Sequence, residues 1–341
     1  MRHTFLKAAL QEDQMSIPDV KSIIISEETY PEDMKEKILP FINERKTPLS
    51  LSRNEGETLY CLKYEPENAQ AAIVISHGFT ETTAKFAEMV YYFLKADYAV
   101  YIYDHCGHGM SYRIIDDPDK VHVDSYKRYV NDLLFVARTA KAEHPGLPLY
   151  LFGHSMGGGI AAAAAAFEPD LFSKVVLSSP MIRPATGNFP WFVTRVVCRL
   201  FTLTGKGKDF APGQHPFDGT DNFEGSASTS KLRYDYYNEI RKSDKKLQMN
   251  GATYGWLYAG VRMSIYLQHK GAKRITAPVL LFQADNETFV INGQQDIFIK
   301  KLKAHTCAEL VHVPDTKHEI YRSPNNILCE YLERIFDLLE K

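Results

Sequence analysis

Ser155 is the residue whose sequence surroundings most clearly indicate chemistry. The segment 153–157 reads GHSMG; it follows a short apolar run at 149–152 and precedes an alanine-rich segment with helical propensity. A strand, a tight turn and a helix are therefore predicted in succession, with the serine at the apex. Gly153 and Gly157 lack the Cβ atoms that would clash where the backbone turns most sharply. This pattern is typical of a nucleophile elbow, in which a serine hydroxyl attacks a carbonyl carbon.

A serine nucleophile needs a histidine base and a carboxylate that orients it, and in an elbow fold they follow in the order serine, acid, histidine. His318 fits the base because it lies in a loop after the last predicted strand, whereas His312 lies inside that strand's apolar run and is predicted to pack in the core. The acid is expected after the strand at 278–283, where Asp285 and Glu287 are both candidates. Glu287 is favoured because it lies further past the strand and can lean toward His318, although aspartate is the residue type used more often.

The developing oxyanion needs two preorganised backbone N–H donors. One is expected from Met156, the residue after the nucleophile, and the other from the loop that follows an earlier strand. The apolar run at 71–76 predicts that strand, and the loop 77–79 follows it directly. The second donor is therefore predicted to be the N–H of Phe79.

Composition and charge argue against several other classes of function. The net charge of -2 over 341 residues gives no electrostatic footprint for nucleic acid. The five cysteines are scattered without a C-x-x-C pair, which favours a reducing cytoplasm over a disulfide framework. Four histidines lie near predicted strand ends, but glycines rather than carboxylates or cysteines space them, so neither a metal nor a cofactor is predicted. These histidines are His77, His105, His108 and His154.

The alternation of strand and helix predicts an α/β fold with a mostly parallel central sheet flanked by helices. Strands are predicted at 71–76, 98–103, 149–152, 174–178, 278–283 and 309–313, and helices at 83–95, 125–141, 292–304 and 326–340. The alternation of strand and helix stops in an aromatic segment. This segment is too long for a structureless loop and is predicted to be an inserted lid. The expected organisation is an N-terminal extension at 1–50 packed on the core, a core at 51–182 and 274–341, and a lid at 183–273.

Four motifs together resemble the α/β-hydrolase group of monoacylglycerol lipases and lysophospholipases. They are SHGFTE at 76–81, DHCGHGMS at 104–111, GHSMGG at 153–158 and TKHE at 316–319. Two fragments of the predicted lid, 228–234 and 250–256, are similar to the lysophospholipase L2 type. The resemblance places the acid at Glu287, where the group usually has aspartate, and the oxyanion donors at Phe79 and Met156.

The resemblance implies a serine hydrolase that cleaves carboxylic esters of lipids with one acyl chain, of the monoacylglycerol or lysophospholipid type, through an acyl-enzyme at Ser155. It also implies a mobile lid, for which transient contact with a membrane surface is expected. Two alternatives stay open: an amidase or aminopeptidase of the same fold, and a non-catalytic ligand-binding relative. The expected location is the cytoplasm, and the sequence makes no prediction of oligomeric state.

Overall fold

The computed structural model describes residues 18–187 and 189–341. The first 17 residues of the predicted N-terminal extension lie outside the described part of the chain. The rest of that extension forms the helices α1 (Val20–Ile23), α2 (Tyr30–Asp33) and α3 (Leu39–Glu44), with a π-helical turn at Met34–Ile38. Their buried side chains pack into one hydrophobic layer of the molecule. The first strand begins at Lys46, so the expected boundary at residue 50 falls inside a strand.

Within the described residues, eight strands form one central sheet, in the order β1-β2-β4-β3-β6-β7-β9-β10. The pairs β1/β2 and β2/β4 are antiparallel, and every other neighbouring pair is parallel. The short strands β5 and β8 form a separate parallel pair. The strands are β1 (Lys46–Asn54), β2 (Glu57–Tyr64), β3 (Ala71–Ser76), β4 (Tyr98–Tyr103), β5 (Lys120–Val121), β6 (Leu149–His154), β7 (Lys174–Ser178), β8 (Gly251–Ala252), β9 (Val279–Ala284) and β10 (Ala308–Val313).

Helices cover both faces of this sheet. The central strands β3, β4, β6 and β9 are buried at every position, as continuous apolar runs predict for parallel strands. One face packs against α5, α6, α9 and α10, and the other against α4, α11 and the N-terminal helices. The remaining helices are α4 (Ala87–Lys95), α5 (Tyr126–Glu143), α6 (Ser155–Phe167), α7 (Trp191–Leu203), α8 (Lys231–Ser243), α9 (Tyr254–His269), α10 (Asn292–Leu302) and α11 (Asn325–Glu340). The predicted α/β fold is confirmed.

His312 is an exception to the predicted core. It lies on β10, the edge strand of the sheet, and its side chain is exposed. Because an edge strand is only partly covered, some of its positions face solvent: Glu309 and His312 are exposed, whereas Val313 is buried. The prediction that His312 packs in the core is therefore wrong.

The predicted lid segment contains α7, α8 and α9, which differ in how they are held. Trp256 and Met263 of α9 belong to the same hydrophobic cluster as Met156 and Ile160 of α6, so α9 is packed on the core. In contrast, of the described side chains of α7, that of Cys198 alone is buried. The helix therefore contributes little to the core. No helix in the described part of the chain combines the length and apolar character needed to cross a bilayer.

Arg233 fastens α8 to the rest of the molecule. Its fully buried guanidinium donates to the carboxylate of Glu88 on α4, with Nη2 to Oε1 at 2.8 Å, and to Asn325 Oδ1 at the start of α11, also at 2.8 Å. Removing one partner of a buried ion pair typically costs about 3–5 kcal/mol, because the other charge is left without a partner. The ion pair therefore holds α8 against the core.

Candidate active site

Ser155 lies where β6 ends and α6 begins, at a sharp turn of the backbone. Its φ of 53° is in the left-handed region, which is uncommon for a residue other than glycine. A Cβ added at Gly157 would collide with the backbone oxygen of Ser76, and one added at Gly153 would lie 2.7 Å from the Cβ of Ala161. The two glycines are therefore what allows the elbow to pack against its neighbouring strand and helix.

A continuous chain of hydrogen bonds joins Ser155, His318 and Glu287. His318 Nε2 lies 2.7 Å from Ser155 Oγ, and His318 Nδ1 lies 2.6 Å from Glu287 Oε2. With Nδ1–H donating to the carboxylate, Nε2 is left to accept the serine proton. Burial alone would raise the pKa of Glu287, but its hydrogen bond to His318 and the electrostatic interaction with that side chain lower the pKa below its ordinary value. The geometry is that of a nucleophile, a base and an orienting carboxylate.

The loop after β9 brings Glu287, rather than Asp285, to His318. Glu287 is held from the other side as well, because its Oε1 accepts from the backbone N–H of Phe289 at 2.8 Å. Asp285 is exposed and lies outside this chain of hydrogen bonds. The N–H of Asn286 donates to the carbonyl of Thr316 at 2.9 Å, which ties the acid loop to the histidine loop.

The two expected oxyanion donors lie next to Ser155. Met156 is the second residue of α6, and N–H groups in the first turn of a helix have no acceptor within that helix. Phe79 lies in the loop after β3 and lines the same cavities as Ser155. Within the described residues, the N–H of Phe79 has no hydrogen-bond acceptor. The role of these two N–H groups as oxyanion donors stays a prediction.

Buried histidines support the loop that carries Phe79. His77 Nδ1 donates to the carbonyl of Gly78 at 2.8 Å, and its Nε2 accepts from the N–H of His105 at 3.0 Å. His108 Nε2 accepts from the N–H of Thr80 at 3.4 Å. Burial lowers the pKa of all three imidazoles, which favours the neutral forms that these contacts require. Across residues 18–187 and 189–341, no group of three or more potential ligands is arranged to hold a metal ion.

His154 precedes the nucleophile and is also fully buried. Its Nδ1 donates to the carbonyl of Ser178 at 3.2 Å, and its ring lies 4.9 Å from the ring of His318. Burial lowers the pKa of His154 to about 4, so its side chain is neutral at physiological pH. A neutral ring beside His318 adds no repulsion to the positive charge that a base acquires.

An apolar cavity of about 660 Å³ opens at Ser155. Its walls come from α7, from the start of α9 and from the loops at 184–187 and 211–214. Val193 and Val197 of α7 face it together with Trp256 of α9. Its volume lies within the range of about 300–1,000 Å³ that is typical of small-molecule sites.

A second cavity of about 450 Å³ opens at Ser155 and is lined mostly by polar and charged residues, and we call it the polar cavity. One wall is a single face of α8, which presents Tyr234, Asn238 and Arg241. Three carboxylates line it, and each is paired with a cation: Asp221 with Arg241 at 2.8 Å, Glu81 with Lys85 at 2.9 Å, and Glu319 with Arg322 at 2.9 Å. Ser155 thus lies at the junction of an apolar and a polar cavity.

Comparisons with known proteins agree with this architecture. A family model described as serine aminopeptidase, S33, matches residues 67–325. The chain is 25% identical to a probable lysophospholipase L2 of Haemophilus influenzae over 300 residues, 88% of this chain and 93% of that protein. It is 33% identical to the monoglyceride lipase of Homo sapiens over 147 residues, 40% of this chain and 47% of that protein.

The solved structures add a likeness of fold. The chain is similar to a soluble variant of monoglyceride lipase from Saccharomyces cerevisiae in complex with a substrate analog, with a TM-score of 0.68 and 17% identity, covering 86% of this chain and 94% of that one. The resemblance to monoacylglycerol lipases and lysophospholipases that the four sequence motifs indicated is confirmed.

Proposed function

The chain belongs to the serine aminopeptidase S33 family and is an ester hydrolase of the α/β-hydrolase fold, and from this premise we propose that it cleaves lipids with one acyl chain through an acyl-enzyme. The junction of an apolar and a polar cavity at Ser155 carries this proposal. An ester of a fatty acid with a polar alcohol has two halves of this kind, joined at the bond that is cleaved.

In the proposed mechanism, Ser155 Oγ attacks the ester carbonyl while His318 Nε2 takes its proton. Glu287 holds the imidazole in the correct tautomer and stabilises the imidazolium that forms. The N–H groups of Phe79 and Met156 bind the developing oxyanion. His318 then returns the proton to the leaving alcohol, and water, activated by the same histidine, releases the fatty acid from Ser155.

The acyl chain is assigned to the apolar cavity and the head group to the polar one. An apolar wall excludes water from the chain, while the tyrosine and amide groups on α8 offer hydrogen bonds to a glycerol or glycerophosphate moiety. We place the moving part of the lid in residues 183–250 rather than 183–273, because α9 is packed on α6. Within that segment α7 is the less firmly held helix, because most of its side chains are at least partly exposed whereas Arg233 anchors α8.

The aminopeptidase alternative requires an acidic group that binds the free amine of a substrate. In the described wall of the polar cavity, each of the three carboxylates is already paired with a lysine or arginine. This pairing favours an ester over an amino-acid amide. The deciding experiment is a substrate profile across monoacylglycerols, lysophospholipids, short-chain esters and amino-acid anilides. The lipid esters are expected to have the highest kcat/KM, and faster cleavage of the anilides would contradict the proposal.

Filling the apolar cavity should shorten the preferred acyl chain. Val197 lines the cavity and is half-buried, so Val197→Phe places a ring where the chain is expected to lie. We expect kcat/KM for long-chain p-nitrophenyl esters to fall about tenfold, as overpacking by one to a few kcal/mol implies. The butyrate ester should be much less affected. Ile297→Phe, at an exposed position of α10 that lines neither cavity, is the control. An equal loss of kcat/KM for both esters would show that the acyl chain does not lie in this cavity.

We also propose that α7 contacts the surface of the membrane that holds the substrate. It exposes apolar side chains along one face and carries Arg195 and Arg199 but no acidic residue, a combination suited to anionic lipid. The exposed apolar residues are Phe192, Val193, Val196, Leu200 and Leu203. Val193, on the same helix, lines the apolar cavity, so the face is continuous with the proposed acyl site.

Vesicle binding tests this contact. Replacing both Phe192 and Leu203 by glutamate should weaken sedimentation with phosphatidylglycerol vesicles at least about tenfold, because two large side chains no longer bury apolar surface. The control, Ile297→Glu, removes an exposed apolar residue from α10 instead. If both variants bind the vesicles as the unchanged protein does, α7 is not the contact.

A further inference from the structure

Glu81 is a buried carboxylate that the proposed mechanism does not use. It lies in the loop after β3, two residues beyond Phe79, and it lines the polar cavity with only 4% of its surface exposed. Its Oε2 accepts from the backbone N–H of Gly78 at 2.5 Å, and its Oε1 accepts from the hydroxyl of Tyr321 at 2.8 Å. The carboxylate therefore closes its own loop on one side and holds the segment after His318 on the other.

Lys85 joins this carboxylate to the loop of the base. Its ammonium lies 2.9 Å from Glu81 Oε1 and 2.5 Å from Glu319 Oε1. Glu319 is the residue after His318, and its backbone N–H donates to the carbonyl of Ala227 at 2.9 Å. One buried cation thus lies between the loop that carries the expected oxyanion donor and the loop that carries the base.

The electrostatics of this cluster keep Glu81 ionised. Burial alone would raise the pKa of Glu81, but the adjacent Lys85 ammonium holds it well below its ordinary value. Burial would lower the pKa of Lys85, and the carboxylates of Glu319 and Glu81 raise it instead. A charged acceptor forms a stronger hydrogen bond with a backbone N–H than a neutral one does. The bond to Gly78 is therefore a firm constraint on the loop.

The constraint acts next to the N–H of Phe79, the expected oxyanion donor. The carbonyl of Gly78 shares its peptide unit with the N–H of Phe79, and it accepts from His77 Nδ1 at 2.8 Å and from the backbone N–H of Glu81 at 3.4 Å. Glu81 therefore holds Gly78 on both sides, its carboxylate at the N–H and its own N–H at the carbonyl, which limits the orientation of the Phe79 N–H. A Cβ added at Gly78 would lie 2.7 Å from Glu81 Oε2 and 3.1 Å from the ring of His154, which shows how closely the loop lies on both groups. Oxyanion donors must lie within a few tenths of an ångström of their productive position to be effective.

We propose that Glu81, held by Lys85, is a positioning residue that sets the direction of the Phe79 N–H for oxyanion binding. This inference rests on the proposed function, because it assumes that Phe79 donates to an oxyanion at Ser155. Glu81 does not touch the substrate carbonyl; it acts through the backbone of the loop. Its loss should weaken binding of the transition state more than binding of the substrate.

The test compares Glu81→Ala and Glu81→Gln with the unchanged protein on one soluble ester. Glu81→Ala should lower kcat by roughly 10–100-fold, somewhat less than complete removal of an oxyanion donor, while KM changes little. Glu81→Gln keeps an oxygen acceptor for the Gly78 N–H and should recover part of that loss. The Ki of a trifluoromethyl ketone, which forms a tetrahedral adduct with an oxyanion, should rise with Glu81→Ala by the same factor as kcat/KM falls.

Asp132→Asn is the matched control, because Asp132 is also a buried carboxylate paired with a cation, Arg53 Nε at 2.7 Å, but lies on α5 and lines neither cavity. It should lower the melting temperature without raising the Ki of the ketone. If Glu81→Ala remains folded and retains the kcat and ketone affinity of the unchanged protein, Glu81 has no positioning role. That result would leave the proposed function intact, whereas activity that survives loss of the Ser155 hydroxyl would overturn the function itself.

Discussion

Ser155→Ala is expected to lower kcat for ester hydrolysis by about 10⁶-fold, the loss seen when the nucleophile of a serine hydrolase is removed. The substitution deletes the atom 2.7 Å from His318 Nε2 and leaves the base with nothing to activate. Alanine tolerates a φ of 53° about as poorly as serine does, so the turn should keep its conformation and its strain. Steady-state kinetics on a p-nitrophenyl ester, with the melting temperature as a check of folding, measures the effect.

Ser179→Ala is the matched control for this variant. Ser179 is a buried serine with a φ of 43°, placed directly after the neighbouring strand β7, and it lines neither cavity. It therefore shares the backbone strain and the burial of Ser155 but not its partners. Its kcat should stay close to that of the unchanged protein. Equal losses in the two variants would indicate a general effect on this edge of the sheet, not the loss of a nucleophile.

Glu287→Gln should lower kcat by about 10⁴-fold, because the amide enforces the wrong tautomer of His318. The backbone N–H groups of Phe289 and Val290 point at Oε1, so the amide oxygen of glutamine takes that position. Its NH₂ group then faces His318 Nδ1 and requires that nitrogen to accept. The proton moves to Nε2, which can no longer accept from Ser155.

Asp285→Asn is the comparison that decides between the two acids. Asp285 is exposed and lies two residues earlier in the same loop, so its neutral variant should hydrolyse the ester at nearly the unchanged rate. Both variants should bind substrate with similar KM, since neither side chain lines the cavities. A large loss for Asp285→Asn together with an active Glu287→Gln would show that the acid is Asp285 and not Glu287.

The fold could be predicted from the sequence because its signals are local. Each central parallel strand is a continuous apolar run, and each ends at a loop rich in glycine or polar residues. The prediction that His312 is buried is wrong because an apolar run does not reveal whether its strand lies at the centre or the edge of a sheet. The order of the strands depends on pairings between distant segments, which a local pattern does not contain.

The candidate site was predictable only in part, for a similar reason. The glycines of the elbow constrain its backbone, and the chain order of the triad limits the choice of base. The structure brings Ser155, Glu287 and His318 together, and their catalytic roles stay a prediction. Glu81 and Lys85 are four residues apart, a spacing that suggests an ion pair. Their link to Glu319 spans more than 230 positions and has no sequence signal. The Arg233–Glu88 ion pair, which holds α8 more firmly than α7 is held, also joins residues far apart in the sequence.

Covalent trapping with a fluorophosphonate, followed by mass spectrometry of the digested protein, tests the central claim most directly. The reagent phosphonylates an activated serine, so its site of attachment identifies the nucleophile without any assumption about the physiological substrate. We expect one adduct, on Ser155, formed in parallel with the loss of ester hydrolysis and absent from Ser155→Ala. An adduct on a different residue, or full hydrolytic activity after Ser155 has been completely labelled, would contradict the proposed mechanism.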